Sequence, residues 1–240
     1  MNIINRTEYL EELKKWRDKD LIKVVTGIRR CGKSTLFELF IKYLKEEGIS
    51  KEHIISINLE SLEYNFSGYK ELYDYVVSQI KDDKKYYVFL DEVQNVKEFQ
   101  KAVDGLYIKK NIDIYITGSN AFLLSGELAT LLTGRYIEIK MLPLSFKEYV
   151  SFFSNNNNYQ ELFLRYMKNG GMPGTLSVLD LENDEINKYL DSIFSTIVFK
   201  DIMARNKITD KALLENIIKF IFDSIGSPIS TKKISDTLTS

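Results

Sequence analysis

Apolar residues fall into two alternating patterns, short continuous runs and longer stretches spaced at three and four. LIKVVTG (21–27), HIISINLE (53–60), KKYYVFLDE (84–92), IDIYITGS (112–119) and RYIEIKML (135–142) are the runs; their β-branched and aromatic residues predict five strands. Helical spacing marks TEYLEELKKW (7–16), KSTLFELFIKYLKEEG (33–48), YKELYDYVVSQIKD (69–82), VKEFQKAVDGLYIKK (96–110) and ELATLLT (127–133). Thr7 is a candidate N-cap and Trp16 a candidate core anchor, while Tyr69, Leu72, Tyr73, Val76, Val77 and Ile80 are expected to face inward. Strands that alternate with helices predict a parallel sheet covered on both faces, because parallel neighbours need crossover connections. An α/β core is therefore expected from about residue 20 to residue 142.

Beyond Pro143 the pattern changes. SFKEYVSFF (145–153) is helical, SNNNNY (154–159) is a polar tract, and the rest predicts helices alone. The expected division is 1–150 for the α/β domain, 151–222 for a helical lid and 223–240 for a further short unit. Lys and Arg number 33 against 34 Asp and Glu, so no global charge draws the chain to nucleic acid or an anionic surface. The single cysteine, Cys31, cannot form an internal disulfide, and no apolar run approaches the ~20 residues of a membrane span; both point to a cytoplasmic chain with no membrane partner. One histidine, His53, and one cysteine give no zinc spacing.

The chemistry concentrates where the first strand meets its helix. Gly27, Ile28, Arg29, Arg30, Cys31, Gly32, Lys33 and Ser34 match G-x-x-x-x-G-K-[ST], with Thr35 behind them. Backbone N–H groups of such a loop converge on polyphosphate, and the glycines allow an approach that a Cβ would block. Lys33 adds a full charge at the β- and γ-phosphates, and the Ser34 hydroxyl suits Mg²⁺. Arg29, Arg30 and Cys31 occupy free positions of the motif, Cys31 most simply as a filler, although a thiol among basic neighbours at a helix start also has reason to be thiolate-prone. Asp91 can orient Mg²⁺ and Glu92 can polarise a water for attack on the γ-phosphate. Thr117, Ser119 and Asn120 form a polar strand tip able to hydrogen-bond the γ-phosphate or the water, and Arg135 is a candidate charge-stabilising finger, in a neighbouring subunit or after closure. No N-K-x-D guanine motif is present, since NKITD (206–210) has the wrong spacing; LLSGEL (123–128) follows the acidic strand, whereas a transporter signature would precede it. Adenine is favoured by elimination.

Taken together, GIRRCGKST (27–35), YVFLDEVQ (87–94), ITGSN (116–120), the stretch LLSGELATLLTGRYIEIKMLPLSFKEY (123–149) and GGMPG (170–174) resemble prokaryotic AAA+ type P-loop ATPases with a C-terminal domain of unknown function. The resemblance implies a sheet ordered 5-1-4-3-2, ATP with Mg²⁺ at the strand tips, Asp91 and Glu92 as the acidic pair, and Ser119 or Asn120 as first sensor. It also implies a smaller all-helical lid in which Pro173 packs against adenine, with Arg165 and Arg205 as candidate second sensors. IIKFIFDSIGSPISTKKISDTLTS (217–240) resembles the opening of a winged helix-turn-helix; the family's members are usually longer, and the chain is expected to stop before a recognition helix. The expected activity is Mg²⁺-dependent ATP hydrolysis coupled to movement of the C-terminal helices, with self-association supplying Arg135. The alternative is a nucleotide-gated switch or DNA-binding adaptor with negligible turnover.

Overall fold

A computed structural model of the protein describes residues 4–119, 132–153, 158–178, 183–203 and 206–238. The five runs are strands: β1 (Ile22–Gly27), β2 (Ile54–Asn58), β3 (Tyr86–Asp91), β4 (Ile112–Ser119) and β5 (Tyr136–Met141). They form one sheet in the order β2-β3-β4-β1-β5, the expected 5-1-4-3-2 read from the other edge. Every pairing is parallel, with Gly27 opposite both Ser119 and Met141.

Strand side chains alternate between two cores. Ile22, Val24, Tyr86, Val88, Leu90, Ile114 and Ile116 enter one, closed by α3 (Tyr69–Gln79) and α4 (Phe99–Tyr107). Val25, Tyr87, Phe89, Tyr115 and Ile139 enter the other, closed by α1 (Thr7–Trp16) and α2 (Lys33–Glu46). This period of two makes continuously apolar strands fit a doubly covered sheet. On α3, Leu72 and Val76 are buried, and Tyr69, Tyr73, Val77 and Ile80 pack partly buried beside them.

Two details of α1 differ from expectation. Arg6, not Thr7, holds the cap position, with a left-handed backbone at φ 45°. Leu13 is the buried anchor, whereas Trp16 stays partly exposed and its indole N–H donates to Glu12. A Trp at the last turn of a helix has less surface above it than a Leu one turn earlier.

Charge is buried on the α1–α2 side. Lys23, fully buried, pairs with Asp113, which also accepts the Tyr115 hydroxyl at 2.8 Å and the Asp18 backbone N–H at 2.9 Å. Burial pushes the Lys23 ammonium below the ordinary lysine range, with Asp113 opposing.

After β5 come α5 (Phe146–Ser151), α6 (Tyr159–Asn169), a 3-10 turn (Pro173–Val178) and α7 (Asn183–Thr196), which runs into π-helical turns (Ile197–Met203). Ser145 caps α5 through a capping box with Glu148. Two compact units divide between Leu190 and Asp191, so α5, α6 and the 3-10 turn belong with the sheet. Within the second unit lie α8 (Lys211–Asp223) and α9 (Thr231–Leu238). The expected short helix at 127–133 and the asparagine tract fall largely outside the described residues. No described helix is long and apolar enough to cross a membrane.

Candidate functional site

The carboxyl ends of β1, β3 and β4 converge on one loop. A Cβ at Gly27 would lie 2.6 Å from the Met141 carbonyl oxygen and 2.7 Å from Cys31 Sγ, so only glycine fits this joint. Arg30 at φ 63° and Gly32 at φ 101° are left-handed, the kind of backbone from which anion-binding nests of amides are built. The N-terminus of α2 has no side-chain cap and no acidic residue in its first turn, leaving its amides for an anion.

Lys33 is 3% exposed and closes the loop upon itself: Nζ donates to the Ile28 carbonyl at 3.3 Å and the Gly27 carbonyl at 3.4 Å, and lies 3.5 Å from Glu92 Oε1. Ser34 is exposed on the same turn and Thr35 half-buried. Arg29 lies 3.9 Å from Glu60.

Asp91 ends β3 and is buried. The Thr117 hydroxyl donates to Asp91 Oδ1 and accepts the Glu92 backbone N–H at 2.9 Å, bracing both acids from the neighbouring strand. Glu92 adopts φ 56°, a left-handed backbone that costs a non-glycine residue and turns its side chain out of strand alternation toward Lys33. Gln94, in the 3-10 turn Val93–Asn95, donates through Nε2 to Glu92 Oε2.

Register sets Ser119 beside Gly27, so the tip of β4 borders the loop; Asn120 lies outside the described residues, as does Arg205. Arg135 stands apart, at the other end of the sheet, paired with Asp104 and 5.7 Å above the Tyr107 ring. Arg165 pairs with Glu161 on its own helix at 3.3 Å.

A cavity of about 290 Å³ adjoins the loop, and Arg6, Cys31, Gly32, Thr35, Pro173 and Leu176 are among its walls. Pro173 approaches Gly32 closely enough that a Cβ there would meet its ring at 3.8 Å. Cys31 corrects the sequence expectation: it is fully buried, and burial pushes its thiol up despite Lys33 and Arg6 nearby. A side chain facing inward from the loop exchanges water for protein, which favours the neutral thiol.

Arg6 and Gln94 were not singled out by sequence. Arg6, 3% exposed, donates to the Cys31 carbonyl at 3.2 Å and the Leu142 carbonyl at 2.6 Å, with Nε 2.9 Å from Glu148 Oε1 but out of line for a hydrogen bond. It ties the phosphate loop to α5, and an arginine in a polar N-terminal segment gives no signal of that. Gln94 offered one faint signal, its place two residues beyond the acidic pair.

A family model described as an AAA domain matches residues 19–150. An uncharacterized protein of Haemophilus influenzae is 41% identical over 243 residues, covering 99% of this chain and 60% of its own length. One from Methanocaldococcus jannaschii is 33% identical over 235 residues, covering 90% and 50%. The chain thus spans 60% and 50% of the lengths of these curated relatives. Among solved structures, a Walker-type ATPase of Pyrococcus abyssi superposes with a TM-score of 0.58 at 16% identity, covering 99% of this chain and 88% of that one; the likeness is one of fold.

Proposed function

This chain belongs to the AAA domain family, and from that premise we propose that it binds ATP with Mg²⁺ and hydrolyses the γ-phosphate at the mouth of the Gly27–Thr35 loop. The observation that carries the proposal is the meeting of Lys33 and Glu92, 3.5 Å apart, beside a loop left-handed at Arg30 and Gly32, with Asp91 buried next to Glu92.

A triphosphate entering the loop gives Lys33 a stronger partner than two carbonyl oxygens, releasing it to the β- and γ-phosphates. Glu92, parted from the ammonium, is then free to accept a proton. Water oxygen bonds to Pγ opposite the β,γ-bridging oxygen, the Pγ–O bond breaks, and its electron pair leaves on ADP. The water's proton passes to Glu92, and inorganic phosphate departs. The Ser34 hydroxyl and the Asp91 carboxylate are hard oxygen donors that fit Mg²⁺, though too few to hold it without phosphate and water. When bound, the ion would neutralise phosphate charge.

The cavity favours adenine. Pro173 offers it a flat apolar wall beside the loop. Steady-state phosphate release tests the whole: Glu92→Gln is expected to retain ATP binding by calorimetry and lose about 10²–10³ in kcat. Lys33→Ala is expected to lose binding. No turnover in the unaltered chain would overturn hydrolysis and leave a nucleotide-gated switch, whereas equal, measurable turnover with and without the Glu92 carboxylate would remove Glu92 as the base.

A further inference from the structure

The amide of Gln94 is half satisfied. Nε2 donates to Glu92 Oε2, while Oε1 is buried and has no partner among the described residues. Exchanging the two amide atoms would set an oxygen against the Glu92 carboxylate, so Glu92 itself fixes which atom points which way. Val93 and Val96, both buried, anchor the turn on either side, so the side chain is delivered from a rigid base. A buried acceptor without a donor marks a place where a partner belongs. Here that acceptor sits on the residue that holds the proposed base.

We infer that Gln94 is a positioning residue for hydrolysis: its N–H orients the Glu92 carboxylate, and its Oε1 accepts a hydrogen bond from the attacking water. A water with one hydrogen on Oε1 and the other on Glu92 has its oxygen lone pair turned away from both, toward Pγ. Two acceptors define that orientation better than one, and misplacement of a nucleophile is a large kinetic cost. The inference rests on the hydrolysis proposed above, and its test separates the two.

The test is single- and double-variant kinetics on the whole chain with ATP and Mg²⁺. Gln94→Met keeps the length of the side chain and removes both amide groups; it is expected to hold the ATP dissociation constant and KM within about twofold and lower kcat about tenfold to a hundredfold. In a Glu92→Gln background the same change is expected to alter residual turnover by less than about twofold, because the two residues act as a unit. Gln94→Glu, close in shape but repelling Glu92, is expected to lose kcat as well and serves should the Met variant not fold. Full or raised kcat in the Gln94 variants beside an inactive Glu92→Gln overturns this inference alone, as does an equal loss in both backgrounds. No turnover in the unaltered chain removes the hydrolysis proposal and this one with it, and full turnover in Glu92→Gln removes Glu92 as the base and with it the role inferred for Gln94.

Discussion

Lys23 and Asp113 each interrupt an apolar strand, and together they form a charge pair with almost no solvent access. Their positions were visible in LIKVVTG and IDIYITGS, but their partnership was not: only the neighbouring of β1 and β4 brings them into contact. Removing one partner leaves the other charged, buried and opposed by no counter-ion. Lys23→Met is therefore expected to destabilise the chain by about 3 kcal/mol, and adding Asp113→Asn to recover most of it, as read from urea unfolding midpoints. A Lys23→Met chain as stable as the original would mean that Asp113 finds compensation elsewhere.

The turn that joins α6 to the Pro173–Val178 segment is held at one point. Leu144 N–H donates to the Gly171 carbonyl at 2.6 Å, and the Tyr166 hydroxyl donates to the Leu144 carbonyl at 2.7 Å. A Cβ at Gly171 would stand 2.3 Å from that same carbonyl oxygen, whereas one at Gly170 would meet nothing within 4 Å and suffer only its φ of +71°. With ψ at −176° Gly170 sits where glycine alone is at ease, so Gly170→Ala is expected to cost about 1–3 kcal/mol, and Gly171→Ala more, with a raised KM for ATP because Pro173 is displaced from Gly32. Thermal melts beside initial rates check the order; a larger loss at Gly170 would show that backbone conformation outweighs the steric clash. GGMPG announced a turn, but which glycine a neighbour forbids to change depended on Leu144, remote in sequence.

At the scale of the whole molecule, Arg135 and the phosphate loop lie at opposite ends of β5, separated by roughly 20 Å of strand at the parallel rise per residue. Within one subunit the arginine is committed to Asp104. Should it act as a finger, it acts in another copy, and mixing decides this. Arg135→Ala and Glu92→Gln, each inactive alone, are expected to regain activity together, because the Glu92→Gln copy lends its arginine to an intact Glu92. Activity that stays absent across all mixing ratios would confine Arg135 to a structural role at the base of the sheet.

The sequence by itself determined the sheet, its parallel sense, the glycine-bracketed loop and the identity of the two acids. Each of these is written in contiguous residues, through the period of apolar positions or the backbone freedom of glycine. Tertiary structure alone decided that Thr117 braces Asp91 and Glu92, that Arg6 ties the loop to α5, that Cys31 is buried and neutral, and that Gln94 keeps an acceptor free beside Glu92. Hydrogen bonds and desolvation act over a few ångströms of space regardless of distance along the chain. They take definite form once the strands have set their register.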